Sequence, residues 1–391
     1  MKFDFDKVIQ RKGTNSLKYD FAEEYGKPAD ALPLWVADMD FQTAPPILKR
    51  LEQLVQHGIF GYTDHKEDYV QAVKNWYQHR FAWDIQGEWI VKMPGVVAAL
   101  AMAVRAFTKE GDSVLIQRPV YHPFSSVVET NRRNLVNNPL KLVNGYYEID
   151  FDDFEKKIVE HQVKLFILCS PHNPVGRVWK EWELKRMGDI CLKYKVLVAS
   201  DEIHSDFVWQ GFRHRVFASL SPAYQEITIT CTAPSKTFNL AGLQAANVMI
   251  ADPQLREKFR QESWSSGYSE LNAMGLAACQ AAYEEGGEWL EELKEYIWGN
   301  YLFLKEYLEV KMPQITPGVL EGTYLAWLDF RNLGLEEEKL EEMIVNQARV
   351  WFNGGTVFGP EGEGFQRVNI ACPRPVLAEA LKRLEQAVNH R

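Results

Sequence analysis

The sequence contains no window approaching the ~20 consecutive apolar residues of a membrane-spanning helix. It has no run of lysine and arginine either. Its 44 basic residues are outnumbered by 53 acidic ones, for a net charge of −9. Nucleic acids and anionic membranes both need a positive footprint, so neither is expected as a partner. Cysteine is sparse. Cys169, Cys191, Cys231, Cys279 and Cys372 lie far apart, with no C-x-x-C pair. An odd, scattered set speaks against a disulfide framework or a zinc site and for small core residues in a reducing compartment. The opening MKFDFDKVIQRKG has no apolar stretch of signal-peptide length. Together these features predict a cytoplasmic protein. Repeats, low-complexity segments and flexible linkers are also missing.

What is present is a chain of 391 residues, 46% of them hydrophobic, which is too long for one small core. Its middle alternates short apolar runs with amphipathic stretches. SVLIQ (113–117), KLFILCS (164–170), KVLVAS (195–200), EITITCT (226–232) and AANVMIA (245–251) are each bounded by polar or turn residues. Such runs suit strands buried on both faces. KEWELKRMGDICLKYK (180–195) reads as a helix, with Trp182, Met187, Ile190 and Leu192 near helical spacing. Strand–helix–strand alternation predicts an α/β domain with a mainly parallel sheet. From about residue 269 the pattern becomes mostly helical, interrupted near Gly286-Gly287. GTYLAWLDF (322–330), an amphipathic EEEKLEEMIVNQARV (336–350), QRVNIAC (366–372) and a last helix over 375–390 then describe a smaller α+β domain. The expected division is a large domain over 46–287 and a small one over 288–391. Residues 1–45, too few to bury a core alone, are expected to pack with the small domain.

In open α/β sheets, ligands sit beyond the carboxyl ends of the strands. The residues after each apolar run are therefore the candidates. SVLIQ is followed by Tyr121 and His122, KLFILCS by Asn173, KVLVAS by Asp201, Glu202 and His204, and EITITCT by Ser235 and Lys236. Gly95 precedes an apolar helix whose free N–H groups suit an anion. Each signal alone has an ordinary reading. Lysine is mostly a solvated surface residue. Asp201 fits a helix cap, Asn173 a turn and Tyr121 a core position. The DEIH cluster is weak as a metal site, with one histidine and no spaced partner. A carboxylate pair at Asp38 and Asp40 leaves Lys236 unexplained.

The joint pattern is more specific. A lysine, a carboxylate, an aromatic ring, an amide, an imidazole and an anion nest share one sheet edge. Pyridoxal-phosphate chemistry uses these parts. Lysine holds the aldehyde, a carboxylate keeps the pyridine nitrogen protonated, an aromatic face stacks on the ring and a helix start binds the phosphate.

SPHNPVG, SDEIHSDF and APSKTFNLAGL resemble the fold-type I pyridoxal-phosphate enzymes of the class I/II aminotransferase superfamily. LWVADMDF, GYTDH, PGVVAAL, GTYLAWLDF and RVNIACPRP narrow the resemblance to the cystathionine β-lyase branch, the MalY/PatB-type C–S lyases. It runs in order over nearly the whole chain. It implies a large domain with a seven-stranded, mainly parallel sheet flanked by helices, plus the smaller α+β domain. It implies Lys236 as the Schiff-base lysine and proton shuttle, with Asp201 on the pyridine nitrogen. Asn173 and His204 would lie near the ring's 3′-oxygen, where aminotransferases usually carry tyrosine in place of His204. Tyr121 would stack on the ring. Gly95, Val96 and Val97 would give N–H groups to the phosphate, and Tyr62 would reach the phosphate of a neighbouring subunit in a homodimer. Arg367 would grip the substrate α-carboxylate, with Arg374 the second choice. Many relatives have a phosphate-binding serine where this chain has Ala233 and an arginine where it has Gln244. Ser235, Thr232 and the helix start are expected to compensate.

The implied reaction is β-elimination. L-cystathionine would give homocysteine, pyruvate and ammonia, and other cysteine S-conjugates would give other thiols. The alternative on the same scaffold is an aminotransferase. A partner-binding regulator of the same fold is a third class, and the intact lysine–aspartate pair argues against it.

Overall fold

The computed structural model describes residues 2–268 and 270–390. The apolar runs become strands β1 (Ile90–Met93), β2 (Ser113–Ile116), β3 (Asn134–Asn137), β4 (Leu165–Cys169), β5 (Leu197–Asp201), β6 (Thr228–Thr232) and β7 (Ala246–Met249). They form one sheet in the order β1-β7-β6-β5-β4-β2-β3. β7 runs antiparallel to both neighbours. The remaining pairs are parallel, so the carboxyl ends of β2, β4, β5 and β6 lie along one edge.

The two-residue period of a strand explains why these runs are apolar throughout. In β4, Leu165 and Ile167 face one side, where Ala99, Leu100, Ala103 and Val104 of the helix Val96–Phe107 cover them. Phe166 and Leu168 face the other, against Phe154, Leu184 and Met187. All five residues of β4 are buried. Truncating Phe166 to alanine would cost about 3–5 kcal/mol. The helix Glu181–Tyr194 presents Leu184, Met187 and Cys191 inward. Trp182, counted in its apolar stripe from the sequence, is instead exposed and leans on Phe151. Among the described residues, no helix is long and apolar enough to cross a membrane.

The later part of the chain builds a second sheet from β8 (Thr316–Pro317), β9 (Leu325–Asp329), β10 (Asn353–Gly354) and β11 (Phe365–Asn369), antiparallel in the order β8-β9-β11-β10. The amphipathic 336–350 stretch is not one helix. An α-turn (Glu337–Glu342) passes into a π-turn (Met343–Gln347), so that Met343, Ile344 and Val345 are all buried. The helices Ala273–Glu285 and Gly287–Lys311 meet at Gly286. A Cβ there would lie 2.4 Å from the Phe238 ring, so the helix junction packs directly on the turn that carries Lys236.

The N-terminal segment runs along the second sheet. Leu32–Pro33 pairs in parallel with Val350–Trp351, and the N–H of Asn369 donates to the carbonyl of Leu34. The segment then crosses to the large sheet, where Met39 N–H donates to Asn239 Oδ1 at 2.9 Å. It thereby brings residues 36–41 to the strand edge that the motifs occupy.

Candidate active site

Lys236 sits on a single helical turn, Pro234–Thr237, that follows β6. Proline at the first helical position starts this turn without wasting a donor. Thr237 Oγ1 donates to Asp206 Oδ2 at 2.7 Å and anchors it from below. Lys236 Nζ points into a cavity of about 180 Å³ and donates to the Ala37 carbonyl at 2.9 Å. Loss of water around the amine pushes its pKa down to about 8, with Asp38 opposing and Arg367 assisting.

Asp201 ends β5 and faces the same cavity. Its Oδ1 accepts the Ile203 N–H at 3.1 Å. Among the described residues, none forms an ion pair with it. Burial raises its carboxyl to about 7, against the pull of the Ile203 N–H and Lys236. His204 is buried, and its Nδ1 has no partner among the described residues. Desolvation holds its ring well below the usual imidazole range, with Lys236 and Arg367 adding to the effect. Tyr121 lines the cavity and is fixed by its N–H to the Asn173 carbonyl at 3.0 Å. Gly95 caps the helix Val96–Phe107 with no side-chain acceptor, and a Cβ on it would meet nothing within 4 Å among the described residues. The first N–H groups of that helix have no intrahelical partners, and Gly95, Val96 and Val97 all line the cavity.

The structure thus brings Lys236, Asp201, Asn173, His204, Tyr121, Gly95, Val96, Val97 and Ser235 to one cavity. Arg367 stands just behind it, on β11. Its Nη1 donates to Asn173 Oδ1 at 3.0 Å, and its Nη2 to the Trp35 carbonyl and Asn353 Oδ1 at 2.8 and 2.6 Å. Its Nε is buried without a partner among the described residues. Tyr62 is elsewhere, fully exposed in a separate surface groove with Phe60 and Met274.

Other expectations are corrected. Thr232 is not among the residues that line the cavity: its Oγ1 donates to the Asn247 carbonyl of β7 at 2.8 Å. Arg374 belongs to helix packing, with Nε on Asn300 Oδ1 at 2.6 Å and its guanidinium over Phe303. Asp38 and Asp40 are neutralised by Arg11 and Lys18. Glu202 of DEIH is occupied by Ser200, the Phe217 N–H and His214. Cys169, read as an ordinary core residue, lines the cavity, as do Ala37, Ile203, Ala241, Gln244 and Ala245. Its position as the last residue of β4 was the available signal.

The donor set fits pyridoxal phosphate. A buried carboxylate lacking a cation suits a protonated ring nitrogen, an orphaned imidazole nitrogen suits a polar ring substituent, and an uncapped helix start suits a phosphate.

Residues 29–384 match the family model for aminotransferase class I and II. The chain belongs to that family. Within it, cystathionine β-lyase PatB of Bacillus subtilis is 44% identical over 385 residues, covering 98% of this chain and 100% of PatB. Protein MalY of Escherichia coli K12 is 32% identical over 389 residues, 99% of each chain. The crystal structure of cystalysin from Treponema denticola, which contains a pyridoxal 5′-phosphate cofactor, matches with a TM-score of 0.96 at 40% identity over 100% of both chains. These full-length likenesses place the chain in the PatB and MalY branch of the family.

Proposed function

We propose that this chain is a pyridoxal-phosphate-dependent carbon–sulfur β-lyase. It cleaves L-cystathionine, or another cysteine S-conjugate, to a thiol, pyruvate and ammonia. The observation that carries the site assignment is the pairing, in one cavity, of a lysine amine lowered to about 8 with a buried carboxylate that has no cation. The full-length likeness to PatB supports the choice of reaction.

When bound, the cofactor supplies an aldehyde that holds the amino acid and a ring that takes up the electron pair left at Cα. Asp201 would hold the proton on the ring nitrogen. Tyr121 would stack on the ring face. Asn173 and His204 would serve the 3′-oxygen. The N–H groups of Gly95, Val96 and Val97, with Ser235, would hold the phosphate. Arg367 binds the substrate carboxylate as a two-pronged donor. Lys236 Nζ, neutral in good part near pH 8, takes the Cα proton. The Cβ–S bond then breaks, and its electron pair leaves with sulfur, which gains a proton as the thiol. The remaining aminoacrylate hydrolyses to pyruvate and ammonia.

The reading extends to the assembly. Residues 46–287 form the cofactor domain, and 288–391 with 1–45 form the small domain. The enzyme is a cytoplasmic homodimer in which Tyr62 of each chain reaches the other chain's phosphate site. The complete exposure of Tyr62, away from its own chain's cavity, supports the dimer.

The test uses purified protein, pyridoxal phosphate and L-cystathionine, without a keto acid. Equal pyruvate and thiol over many turnovers, lost in Lys236→Ala, is the expected result. Turnover that requires an added keto acid, without pyruvate, would mean an aminotransferase and overturn the lyase assignment.

A further inference from the structure

Residues 36–41 cross the cavity edge without belonging to a strand, so their carbonyls need partners from elsewhere. Side chains supply them. Asn369 Nδ2 donates to the carbonyls of Val36 and Asp38, both at 2.6 Å. Arg11 Nη1 and Asn239 Nδ2 donate to that of Met39 at 3.2 and 2.9 Å, and Asn239 Nδ2 also reaches Phe41 at 3.0 Å. Between them, the Ala37 carbonyl accepts two donors: the Tyr324 hydroxyl at 2.9 Å and Lys236 Nζ at 2.9 Å.

Tyr324 is built for this task. It is wholly buried, with its ring set edge-on against Phe207 at 4.8 Å and His204 at 5.8 Å. Burial raises its phenol far above the ordinary range, so the hydroxyl remains a donor at every working pH. The chain runs 287 residues between the two partners of that bond. It joins the small domain's sheet, through the carbonyl, to the amine that does the chemistry.

We infer that Tyr324 is a positioning residue: it fixes the Ala37 carbonyl as the acceptor that orients the Lys236 amine whenever that amine is not bonded to cofactor. Asn369, holding the carbonyls on either side, supports the same placement. The inference rests on the reading of Lys236 as the proton-transferring group. Held by the hydroxyl, the Ala37 carbonyl stays aimed at the ammonium; released, it can turn away, so removing the hydroxyl lowers the amine's titration midpoint, whereas a hydroxyl that merely competed for the same oxygen would raise it when removed. The other groups facing Lys236 are Asp38 and Asp201, which raise the midpoint, Arg367, which lowers it, and His204, held neutral. Neither variant below removes any of them.

The experiment is competitive labelling of Lys236 in the full chain stripped of cofactor. Its modification by an amine reagent is followed by mass spectrometry across pH 6–11 for the parent, Tyr324→Phe and Asn369→Ala. The expected result for Tyr324→Phe is a midpoint lower by roughly half a pH unit, because the bond removed is a neutral hydroxyl–carbonyl one and the amine's own bond is loosened without being deleted. A smaller shift in the same direction is expected for Asn369→Ala. With cofactor restored, kcat for L-cystathionine falls roughly tenfold in Tyr324→Phe while KM stays within about twofold, as for an interaction used only in the chemical step. An unmoved or a raised midpoint in a folded Tyr324→Phe protein overturns the inference, a rise meaning that the hydroxyl competes with the amine for the carbonyl. Should that variant not fold, Asn369→Ala decides by the same criterion. Labelling needs neither substrate nor cofactor. A moved midpoint in a protein without lyase activity therefore sinks the functional reading alone, and an active lyase with an unmoved midpoint sinks the positioning role alone.

Discussion

Arg367 on β11 donates to Asn173 beyond β4 at 3.0 Å, and this bond ties the small sheet to the catalytic edge of the large one. Asn353 and the Trp35 carbonyl hold the other prong of the same guanidinium. Three separate segments therefore set the orientation of one cation. Burial with so few compensating carboxylates pulls Arg367 down to about 10, still charged at neutral pH.

A planar fork held this way is not replaced by a point charge. Arg367→Lys is expected to lower kcat/KM for L-cystathionine by ~10²-fold, mostly through KM. Asn353→Ala loosens one prong only and is expected to cost roughly tenfold. Steady-state kinetics check both. An Arg367→Lys enzyme with unchanged KM would remove Arg367 from carboxylate binding.

Asp201 makes stability depend on pH in the unusual direction. Its carboxyl lies near 3.8 in an unfolded chain and is raised to about 7 by burial in the fold. Between those values the folded state holds a proton that the unfolded state has released. The contribution of Asp201 to the stability of the cofactor-free chain therefore falls as pH rises from about 4 to about 7, then levels off, while His172 and His204, lowered by burial, act in the opposite sense, so the effect is read as the difference between parent and variant. Asp201→Asn removes the penalty. At pH 8 the cofactor-free variant should be more stable than its parent by roughly 2–4 kcal/mol, with the gap shrinking toward pH 5. Urea denaturation at the two pH values measures it. Bound cofactor should reverse the order, because asparagine carries no charge for a ring cation. Equal stability of the two cofactor-free proteins at pH 8 would count against a buried, unpaired carboxylate.

Lys236, Asp201, Asn173 and Tyr121 are legible because each lies within four residues after an apolar run, and parallel strands put all such ends on one edge. The runs themselves were legible because β4 and its neighbours are covered on both faces. Thr232 was misplaced because strand-end hydroxyls alternate sides, and a single chain does not say that β7 offers the Asn247 carbonyl. Ala37 was invisible as a site residue. Its contribution is a carbonyl oxygen, and its partners Lys236 and Tyr324 lie 199 and 287 residues away. Arg374 and Arg367 were hard to rank from spacing. Only the packing of Asn300 and Phe303 shows that Arg374 is already occupied.

Gly286 couples stability to the lysine turn. A methyl group there meets the Phe238 ring at 2.4 Å and the Ala282 carbonyl at 2.6 Å. Phe238 is stacked on Trp289 and cannot withdraw freely. Gly286→Ala is expected to destabilise the chain by about 1–3 kcal/mol, against the usual gain from replacing a helical glycine. Its thermal midpoint should fall, and cofactor affinity with it, because Phe238 lies two residues beyond Lys236. Gly287→Ala is the control, since a Cβ at Gly287 meets nothing within 4 Å. A destabilisation equal in both would point to general helix effects instead of the Phe238 contact.

The proposed dimer makes a prediction that no single chain can meet. Tyr62 is remote from its own cavity, so Tyr62→Ala should leave the chain folded yet slow its neighbour's site. Lys236→Ala should be inactive in its own site while keeping Tyr62 intact. When the two weakly active or inactive proteins are unfolded together and refolded, half of the resulting dimers are mixed. In each mixed dimer one site receives Lys236 from one chain and Tyr62 from the other. Mixing should therefore restore pyruvate release to roughly a quarter of the parent rate per chain, since one site in two is complete in half the dimers. Each variant refolded alone is the baseline. Activity no greater than the average of the two baselines would mean that Tyr62 does not serve a second chain, whatever the oligomeric state.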